Sequence, residues 1–299
     1  MSVVYFPLHR ERNVKMKLGL VIEGGASRTY FACGVMDRLL QEDIHADYII
    51  GVSAGIAFGV SYCSRQFERN LRILKNYEED KRYMGVRHLL DRKNKSYYNL
   101  EFVFETIPKE LVPFDYPVFY GRKERCIAVV TRLDTGEAEY IEMPVDDNFD
   151  VLKASCALPI LFKPIGLNGV QYMDGGIADS IPFKKALADG CDRVIVLLSH
   201  PRGYIKGKEK ATPLVKMAYR KHKKFLNSFQ NRPEKYNDSI RELEKLEKEG
   251  IAFVIAPTEE ELRGIGRTEK KVRVLEPLYR SGFAQAERLS EEIRRFAGR

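Results

Sequence analysis

The residue best suited to nucleophilic chemistry is Ser53, within Gly51-Val52-Ser53-Ala54-Gly55. The motif follows an apolar strand-like run at Tyr48–Val52 and precedes a helix-compatible run at 56–60. In this context G-x-S-x-G predicts a nucleophile elbow, a sharp turn that exposes the serine hydroxyl. Gly51 and Gly55 let the strand and the helix pass closely. The alternative is a glycine turn that merely contains a serine.

A serine hydroxyl attacks only when a base takes its proton. The best candidate base is Asp174, which ends the short apolar segment Val170–Met173 and is followed by Gly175 and Gly176. A carboxylate at a strand end faces the carboxyl edge of a parallel sheet, where sites form. Two alternatives remain: an Asp-Gly hairpin turn, or a triad in which His200 completes the chain order serine, aspartate, histidine.

A third element could stabilise negative charge. The predicted strand Leu18–Ile22 ends in Gly24-Gly25-Ala26-Ser27-Arg28, which leads into an amphipathic helix from Thr29 to Gln41. Backbone N–H groups at such a turn are available to an anion, as acyl transfer requires for its developing oxyanion. Nucleotide binding is disfavoured, because the segment lacks G-x-G-x-x-G and the G-K-[S/T] of a P-loop.

Together these three elements resemble the patatin-like phospholipase family, whose pattern is a glycine-rich oxyanion loop, G-x-S-x-G and D-G-G/A in that order. A fourth segment, 154–164 (ASCALPILFKP), is similar to the A-S-x-A-x-P-x-x-F-x-P stretch of the family. The resemblance extends from about Leu18 to Pro201.

The resemblance implies a three-layer α/β/α fold and a serine acyl-ester hydrolase of phospholipase A or lipid acyl hydrolase type. Such an enzyme needs no metal or cofactor, and its substrate is a lipid or other acyl ester. The implied roles are nucleophile and acyl-enzyme carrier for Ser53, general base for Asp174, oxyanion hole for Gly24, Gly25 and Ala26, loop support for Arg28, and elbow or turn support for Gly51, Gly55, Gly175 and Gly176.

Two positions depart from the family pattern. Ala26 stands for the third loop glycine, and Thr29 stands for the glycine after Arg28. A positive φ at Ala26 would cost on the order of 1 kcal/mol. Neither change removes a backbone donor, so we expect retained activity, reduced or selective. The alternative is a non-enzymatic or weakly active lipid-binding or regulatory protein of the same fold. The motifs leave the head group, acyl chain, cleaved position and oligomeric state open.

The elements that position these motifs alternate between strands and helices, which predicts an α/β domain with a mainly parallel sheet. An Asp-Thr-Gly turn at 134–136 predicts a hairpin. We expect an N-terminal tail at 1–16, a catalytic core at 17–201 and a basic, helical C-terminal region at 202–299 with one further strand. The predicted strands are Leu18–Ile22, Tyr48–Val52, Arg125–Arg132, Tyr140–Met143, Val194–Leu198 and Ala252–Ile255, and later helices are expected at Glu234–Glu249 and Ser281–Phe296.

The net charge of +8 is concentrated between positions 202 and 224, where nine basic residues accompany one acid. An apolar stripe at Val215, Tyr219, His222, Leu226 and Phe229 predicts that this stretch is a one-sided helix. It is either an ordinary solvated face or a site of peripheral contact with an anionic membrane. Charge confined to one segment argues against nucleic-acid binding.

Cysteine usage and hydropathy predict a cytoplasmic protein. Contact with a membrane would be peripheral, at its inner face. The chain has no run of about 18 apolar residues and no signal-peptide pattern. The histidines and cysteines lack metal-ligand spacing. We expect buried free thiols at Cys33, Cys63, Cys126, Cys156 and Cys191.

Overall fold

The computed structural model describes residues 16–143, 149–208 and 212–298. Its strands are β1 (Leu18–Ile22), β2 (Tyr48–Val52), β3 (Arg125–Arg132), β4 (Ala138–Glu142), β5 (Ile165–Leu167), β6 (Val170–Asp174), β7 (Arg193–Leu197) and β8 (Ala252–Ile255). Its α-helices are α1 (Tyr30–Gln41), α2 (Ala54–Cys63), α3 (Arg69–Tyr77), α4 (Val86–Leu90), α5 (Tyr116–Tyr120), α6 (Asp150–Ser155), α7 (Phe183–Ala188), α8 (Thr212–Ala218), α9 (Lys223–Lys248), α10 (Val272–Arg288) and α11 (Ser290–Phe296). Short 3₁₀ turns cover Ala26–Thr29 and Gly175–Ile177, and a π-helix covers Phe102–Leu111.

The described strands form one sheet with a parallel centre. β1 lies between β2 and β7, and all three are parallel; β3 extends the sheet beyond β2, and β8 extends it beyond β7. The remaining pairings, β3 with β4, β3 with β6 and β5 with β6, are antiparallel. The hairpin expected around 134–136 is therefore confirmed.

Side-chain alternation divides the apolar residues of each strand between two faces of the sheet. On β1, Leu20 and Ile22 pack with α1, α2, α3, α6, α10 and α11, whereas Val21 points to the opposite face. There it packs beside residues of α7 and α9, including Phe183 and Tyr236. Both faces are covered by helices, so the expected three-layer α/β/α arrangement is confirmed.

The C-terminal part of the chain is built into these layers. β8 pairs with β7 in the same sheet, and α10 packs directly on α1. A Cβ added to Gly34 of α1 would lie 1.9 Å from the Tyr279 carbonyl oxygen, and one added to Gly282 of α10 would lie 2.0 Å from that of Phe31. Only glycine allows the two backbones to approach so closely.

Several helix predictions were wrong in extent. The stripe from Val215 to Phe229 spans two helices, α8 and α9, separated by a turn in which His222 has a non-helical φ of −108° and ψ of 67°. The periodicity continues through the turn because Val215, Tyr219 and Phe229 all pack in one cluster. The helix expected from Glu234 begins earlier, at Lys223, and the one expected at 281–296 is divided into α10 and α11.

The basic segment is less uniform than its sequence suggests. Arg202 donates to both carboxylate oxygens of Glu247 at 2.7 Å, and Lys206 is buried with its ammonium 4.4 Å from the centre of the Tyr236 ring. The remaining described cations of the segment are exposed: Lys208, Lys216, Arg220, Lys221, Lys223 and Lys224. Glu209 and Lys210 of this segment, and residues 1–15 of the expected N-terminal tail, lie outside the described residues.

Candidate active site

Ser53 occupies a sharp turn between β2 and α2. Its backbone has φ 53° and ψ −130°, a combination that L residues rarely adopt and that costs about 1–3 kcal/mol. The flanking glycines make the turn sterically possible. A Cβ on Gly51 would lie 2.8 Å from the Ile56 nitrogen, and one on Gly55 would lie 2.5 Å from the Ile22 carbonyl oxygen. The local geometry is that of the expected elbow.

A buried serine holds this turn in place. The Ser53 N–H donates to Ser155 Oγ at 2.9 Å, and the Ser155 hydroxyl donates to the Val129 carbonyl oxygen at 2.7 Å. Ser155 has no exposed surface. It thereby connects the backbone of the elbow to β3. Its position in the 154–164 stretch was part of the sequence pattern, but its contact with Ser53 was not predictable.

Asp174 reaches Ser53 because β2 and β6 lie on the same edge of β3. The register pairs Val52 with Val129 and Asp174 with Val130, while β4 occupies the other edge. β2 is parallel to β3 and β6 is antiparallel, so their carboxyl ends point toward each other. The two residues that follow or end these strands, Ser53 and Asp174, therefore line the same cavity.

Asp174 is buried, with only 1% of the residue exposed. Its Oδ1 accepts from the Gly176 N–H at 2.8 Å, whereas Oδ2 has no hydrogen-bond partner among the described residues. Burial raises the pKa of Asp174, and Arg232, the Ser53 hydroxyl and Arg267 each lower it. A Cβ on Gly176 would lie 3.1 Å from Asp174 Oδ1 and 3.2 Å from Arg232 Nη2, so this glycine admits the guanidinium beside the carboxylate.

The glycine turn after β1 lies against the elbow. A Cβ on Gly24 would be 2.9 Å from the Ser53 Cβ, and one on Gly25 would be 2.5 Å from the Ser199 Cβ. The N–H groups of Gly24, Gly25 and Ala26 donate to no acceptor among the described residues. Ala26 has φ 50°. This conformation is strained for alanine, and a glycine would adopt it without that strain.

Arg28 lines the cavity that contains Ser53 and connects the turn to two neighbouring segments. Its Nε donates to the Ile265 carbonyl oxygen at 3.1 Å, and its Nη1 donates to His200 Nε2 at 3.1 Å. Because arginine only donates, Nε2 must accept, and the ring proton lies on Nδ1, 3.0 Å from Glu23 Oε1. Glu23 also accepts from the Ser199 N–H at 2.7 Å. This network occupies both nitrogens of His200.

The C-terminal part of the chain forms hydrogen bonds with the same turn. Ser27 Oγ lies 2.5 Å from the Glu269 carbonyl oxygen and 3.0 Å from that of Arg267, so its single proton is shared between these two acceptors, and the Ser27 N–H donates to Arg267 O at 3.4 Å. The segment before α10 therefore belongs to the site region. Thr258 and Glu261 of this segment exchange hydrogen bonds in the manner of a helix capping box, although residues 259–264 form turns.

Two cavities meet at Ser53. The first, here called the apolar cavity, contains mainly apolar and aromatic side chains, together with Arg69 and Glu78. Both apolar segments near the motifs, 56–60 and 158–162, contribute to it. Its lining includes Phe58, Val60, Phe104, Phe114, Leu158 and Phe162.

The second, here called the cationic cavity, is lined by Arg28, Lys206, Arg232 and Arg267 together with Ser53 and Asp174. Three of these cations were not recognised as site residues in the sequence. Lys206 appeared only as part of the basic segment, and Arg232 and Arg267 carried no local signal. Glu23 was also overlooked, although a carboxylate directly after β1 lies at the same sheet edge as the elbow.

Metal and cysteine chemistry have little support in the described ranges. Among residues 16–143, 149–208 and 212–298, no group of three or more His, Cys, Asp or Glu side chains is arranged to hold a metal ion. The five cysteines are free, and all except the half-buried Cys156 are buried, as expected. Burial raises the pKa of the Cys156 thiol, which disfavours the reactive thiolate.

Two family profiles match the chain. The patatin-like phospholipase profile covers residues 20–187, and a domain of unknown function (DUF6363) covers residues 222–298. The first contains Ser53, Asp174 and the glycine turn. The second contains Arg232 and Arg267.

Similar proteins are known by sequence and by structure. The chain is 24% identical over 190 residues to the uncharacterized protein YjjU of Escherichia coli, covering 62% of this chain and 52% of that protein. It is 25% identical over 187 residues to the "Probable lipid hydrolase 463L" of Invertebrate iridescent virus 6, covering 56% and 62%. The structure of VipD from Legionella pneumophila superposes with a TM-score of 0.46 and 16% identity, covering 93% of this chain and 67% of that one. The chain thus spans between half and two thirds of the length of the YjjU and 463L proteins.

Proposed function

This chain belongs to the patatin-like phospholipase family, and we propose that it is a serine acyl-ester hydrolase acting on lipids, with Ser53 as nucleophile and Asp174 as general base. The observation that carries the proposal is the convergence of three features on one cavity wall. These are a strained elbow serine, a buried carboxylate of which one oxygen accepts no hydrogen bond from the described residues, and a turn whose N–H groups donate to no described acceptor, beside an apolar cavity.

The reaction proceeds in two halves. Asp174 accepts the Ser53 proton as Oγ attacks the ester carbonyl, and the N–H groups of Gly24, Gly25 and Ala26 donate to the resulting oxyanion. Collapse of the intermediate expels the alcohol, which takes the proton from Asp174 and leaves an acyl-Ser53 ester. Water, deprotonated by Asp174, then attacks that ester and releases the fatty acid and the free serine hydroxyl.

The electrostatics of the site suit a carboxylate base. Burial raises the pKa of Asp174 and so makes it a stronger proton acceptor, while Arg232 and Arg267 oppose the shift and favour the ionised form. Activity requires that ionised form. We therefore expect kcat/KM to fall as the pH drops through the pKa of Asp174, above the usual 3.8.

A dyad is favoured over a triad because of how His200 is held. Its Nε2 accepts from Arg28 and its Nδ1 faces Glu23, so neither nitrogen is available to Ser53 without breaking a contact. His200 is instead a positioning residue that connects Glu23 to Arg28 of the glycine turn.

A fluorophosphonate probe tests this proposal directly. Wild type and the control Ser64→Ala, at the far end of α2, should be labelled, whereas Ser53→Ala should not. Ser53→Ala and Asp174→Asn should each reduce hydrolysis of p-nitrophenyl esters by at least a thousandfold. Absence of labelling in the folded wild type would contradict the proposal and favour the alternative of a lipid-binding protein without turnover.

We also propose that the exposed part of the basic segment contacts anionic membranes. No helix among the described residues is long and apolar enough to cross a bilayer. α8 instead exposes Leu214 (46%) and Met217 (66%) beside Lys216 and Arg220, a combination that suits an interfacial surface. The free cysteines support a reducing, cytosolic location at the inner membrane face.

Vesicle assays test the membrane contact. Turnover should be faster on anionic than on neutral vesicles, the difference should shrink with added salt, and Met217→Ser should reduce vesicle binding. Equal rates and equal binding on both vesicle types would refute it.

A further inference from the structure

The apolar cavity contains a buried guanidinium that has no counter-charge among the described residues. Arg69, at the start of α3, lines the cavity and is only 5% exposed. Its Nη1 donates to Ser61 Oγ at 3.3 Å and its Nη2 donates to the Val112 carbonyl oxygen at 3.0 Å. Its buried Nε donates to no acceptor in the described ranges. Both acceptors are uncharged, and no described carboxylate forms an ion pair with this side chain.

A buried positive charge is unfavourable unless an anion pairs with it. Desolvation lowers the pKa of Arg69 to about 10, which leaves the guanidinium charged at neutral pH. The Phe114 ring, whose centre lies 5.2 Å from the guanidinium carbon, adds a cation–π attraction but no negative charge. The surroundings of Arg69 therefore favour an anion that enters through the cavity.

Glu78, the acidic side chain of the same cavity, does not supply that anion. It is 2% exposed, and its Oε2 accepts from the Tyr30 hydroxyl at 2.7 Å. Burial raises the pKa of Glu78 to about 7, so at pH 6 most of the carboxyl group is uncharged. At that pH Glu78 neither neutralises Arg69 nor repels an anion from the cavity.

The helix α2 sets the distance between the nucleophile and this guanidinium. Ala54 and Phe58 of α2 line the cavity, and Ser61, which accepts from Arg69, continues the same face of the helix. At a rise of about 1.5 Å per residue, Ser61 lies about 12 Å from Ser53 along the helix axis. An extended chain advances about 1.2 Å per single bond, so an acyl chain of about nine carbons attached at Ser53 reaches the guanidinium.

We propose that the apolar cavity selects an acyl chain that ends in a carboxylate, which Arg69 binds through Nε and a neighbouring Nη while the ester carbonyl lies at Ser53. The proposal rests on the ester hydrolase function proposed above and names the acyl group that it cleaves. A guanidinium binds a carboxylate through two parallel charge-assisted hydrogen bonds. A chain that ends in a methyl group would instead cover the guanidinium with hydrocarbon and leave its charge unpaired.

Four p-nitrophenyl esters test the proposal through kcat/KM at pH 6. Two are monoesters of nonanedioate and hexanedioate, and two are the esters of nonanoate and hexanoate, which end in a methyl group. Wild type should prefer the nonanedioate ester to the nonanoate ester by about tenfold or more. The hexanedioate ester is too short to reach Arg69 and should show no such preference over the hexanoate ester. All four esters use the same Ser53 and Asp174, so differences in the chemical step cancel within each pair.

Two results with wild type would overturn the proposal. One is equal kcat/KM for the nonanedioate and nonanoate esters. The other is an equal preference for the carboxylate in both pairs, which would mean that the carboxylate is attracted by the site as a whole and not by a group at the far end of the cavity.

Variants of Arg69 test the assignment to this side chain. Arg69→Met replaces the guanidinium with an apolar side chain and should reduce the nine-carbon preference at least fivefold, whereas Arg69→Lys keeps the charge and should retain part of it. A ratio of two esters does not depend on the folded fraction, so partial unfolding does not imitate this result. The matched control is Arg72→Met, which removes an exposed arginine of the same helix and should keep the wild-type preference. An Arg69→Met preference equal to that of Arg72→Met would refute the assignment.

Calorimetry separates this proposal from the hydrolase function. Ser53→Ala should bind nonanedioate at least fivefold more tightly than nonanoate, and adding Arg69→Met should remove the difference. If 9-hydroxynonanoate binds as tightly as nonanedioate, charge is not what Arg69 recognises and the proposal is wrong. Binding that depends on Arg69, in a wild type that hydrolyses none of the four esters, would refute the hydrolase function and support the carboxylate subsite. Hydrolysis of all four esters with equal binding of nonanedioate and nonanoate would refute the subsite and leave the hydrolase function intact.

Discussion

Replacing Ser155 with alanine removes the side chain that ties the nucleophile to the sheet. The variant loses the bond from the Ser53 N–H (2.9 Å) and the bond to the Val129 carbonyl oxygen (2.7 Å). The Ser53 N–H and the Val129 carbonyl oxygen would then face a site closed to solvent, because Ser155 itself has 0% exposure. An unsatisfied buried group costs about 1–3 kcal/mol, so for these two groups we expect the free energy of unfolding to fall by about 2–6 kcal/mol.

Ser155→Ala should also lower kcat under conditions where the variant is fully folded, so that lost stability does not account for the lower rate. Ser53 is held at φ 53° and ψ −130°, and such strain persists only where the surroundings over-determine it. Without Ser155 the turn can relax and displace Oγ. A displacement of about 1 Å can cost on the order of a hundredfold in rate, so kcat should fall by about that factor at a temperature where the variant remains folded.

Ser64→Ala provides the matched comparison. Ser64 is 1% exposed at the other end of α2, and its hydroxyl proton lies between two acceptors, Gln66 Oε1 at 2.9 Å and Ser61 O at 3.2 Å. Its loss should lower stability while kcat stays within about twofold. Urea unfolding is followed by circular dichroism, since the chain contains no tryptophan, and kcat by p-nitrophenyl ester hydrolysis. An unchanged kcat in Ser155→Ala, with stability reduced as in Ser64→Ala, would refute the positioning role.

Three further predictions concern the surroundings of the site. Ala26→Gly should leave turnover equal or higher and change stability by less than about 1 kcal/mol, because the strain relieved at φ 50° and the freedom gained by the unfolded glycine offset each other; a large loss of turnover would mean that the methyl group supports the oxyanion turn. His200→Ala should lower kcat/KM by about tenfold or less, through a loosened Arg28; a thousandfold loss would favour the triad. Burial raises the pKa of Glu78 from 4.5 to about 7, so the folded state holds its proton more tightly and stability should decline as pH rises from about 4.5 to about 7. Glu78→Gln should reduce that decline, part of which remains because burial also raises the pKa of Asp37 to about 7. The variant should be more stable than wild type at pH 8 by up to about 3 kcal/mol, as measured by urea unfolding at pH 4 and 8, whereas the exposed control Glu110→Gln should retain the wild-type slope.

The C-terminal region shows where prediction from sequence was limited. Its helices were recognised from their amphipathic pattern, but the break at Tyr219–His222 was not, because both halves pack on one cluster and the stripe continues across the turn. Lys206 was counted only as one of the basic residues at 202–224, whereas the structure buries it beside Tyr236. Periodicity reports which residues are buried within an element and contains no information on where the element packs.

The sequence by itself determined the local pieces of the site. A strand followed by Gly-x-Ser-x-Gly, a strand followed by a glycine turn, and a strand ending in Asp-Gly-Gly are each specified by contiguous residues, because steric limits on the backbone act over a few positions. For this reason Ser53, Asp174 and the turn at Gly24–Ala26 were recognisable without any tertiary information.

Only the tertiary structure decided how these pieces meet and what surrounds them. Ser53 and Asp174 come together because β2 and β6 approach from opposite directions along one edge of β3, a consequence of strand register. Arg232 and Arg267 reach the carboxylate from a helix and a loop that are distant in sequence. Strand pairing and helix docking are set by the packing of whole layers, and no short motif encodes contacts made across that distance.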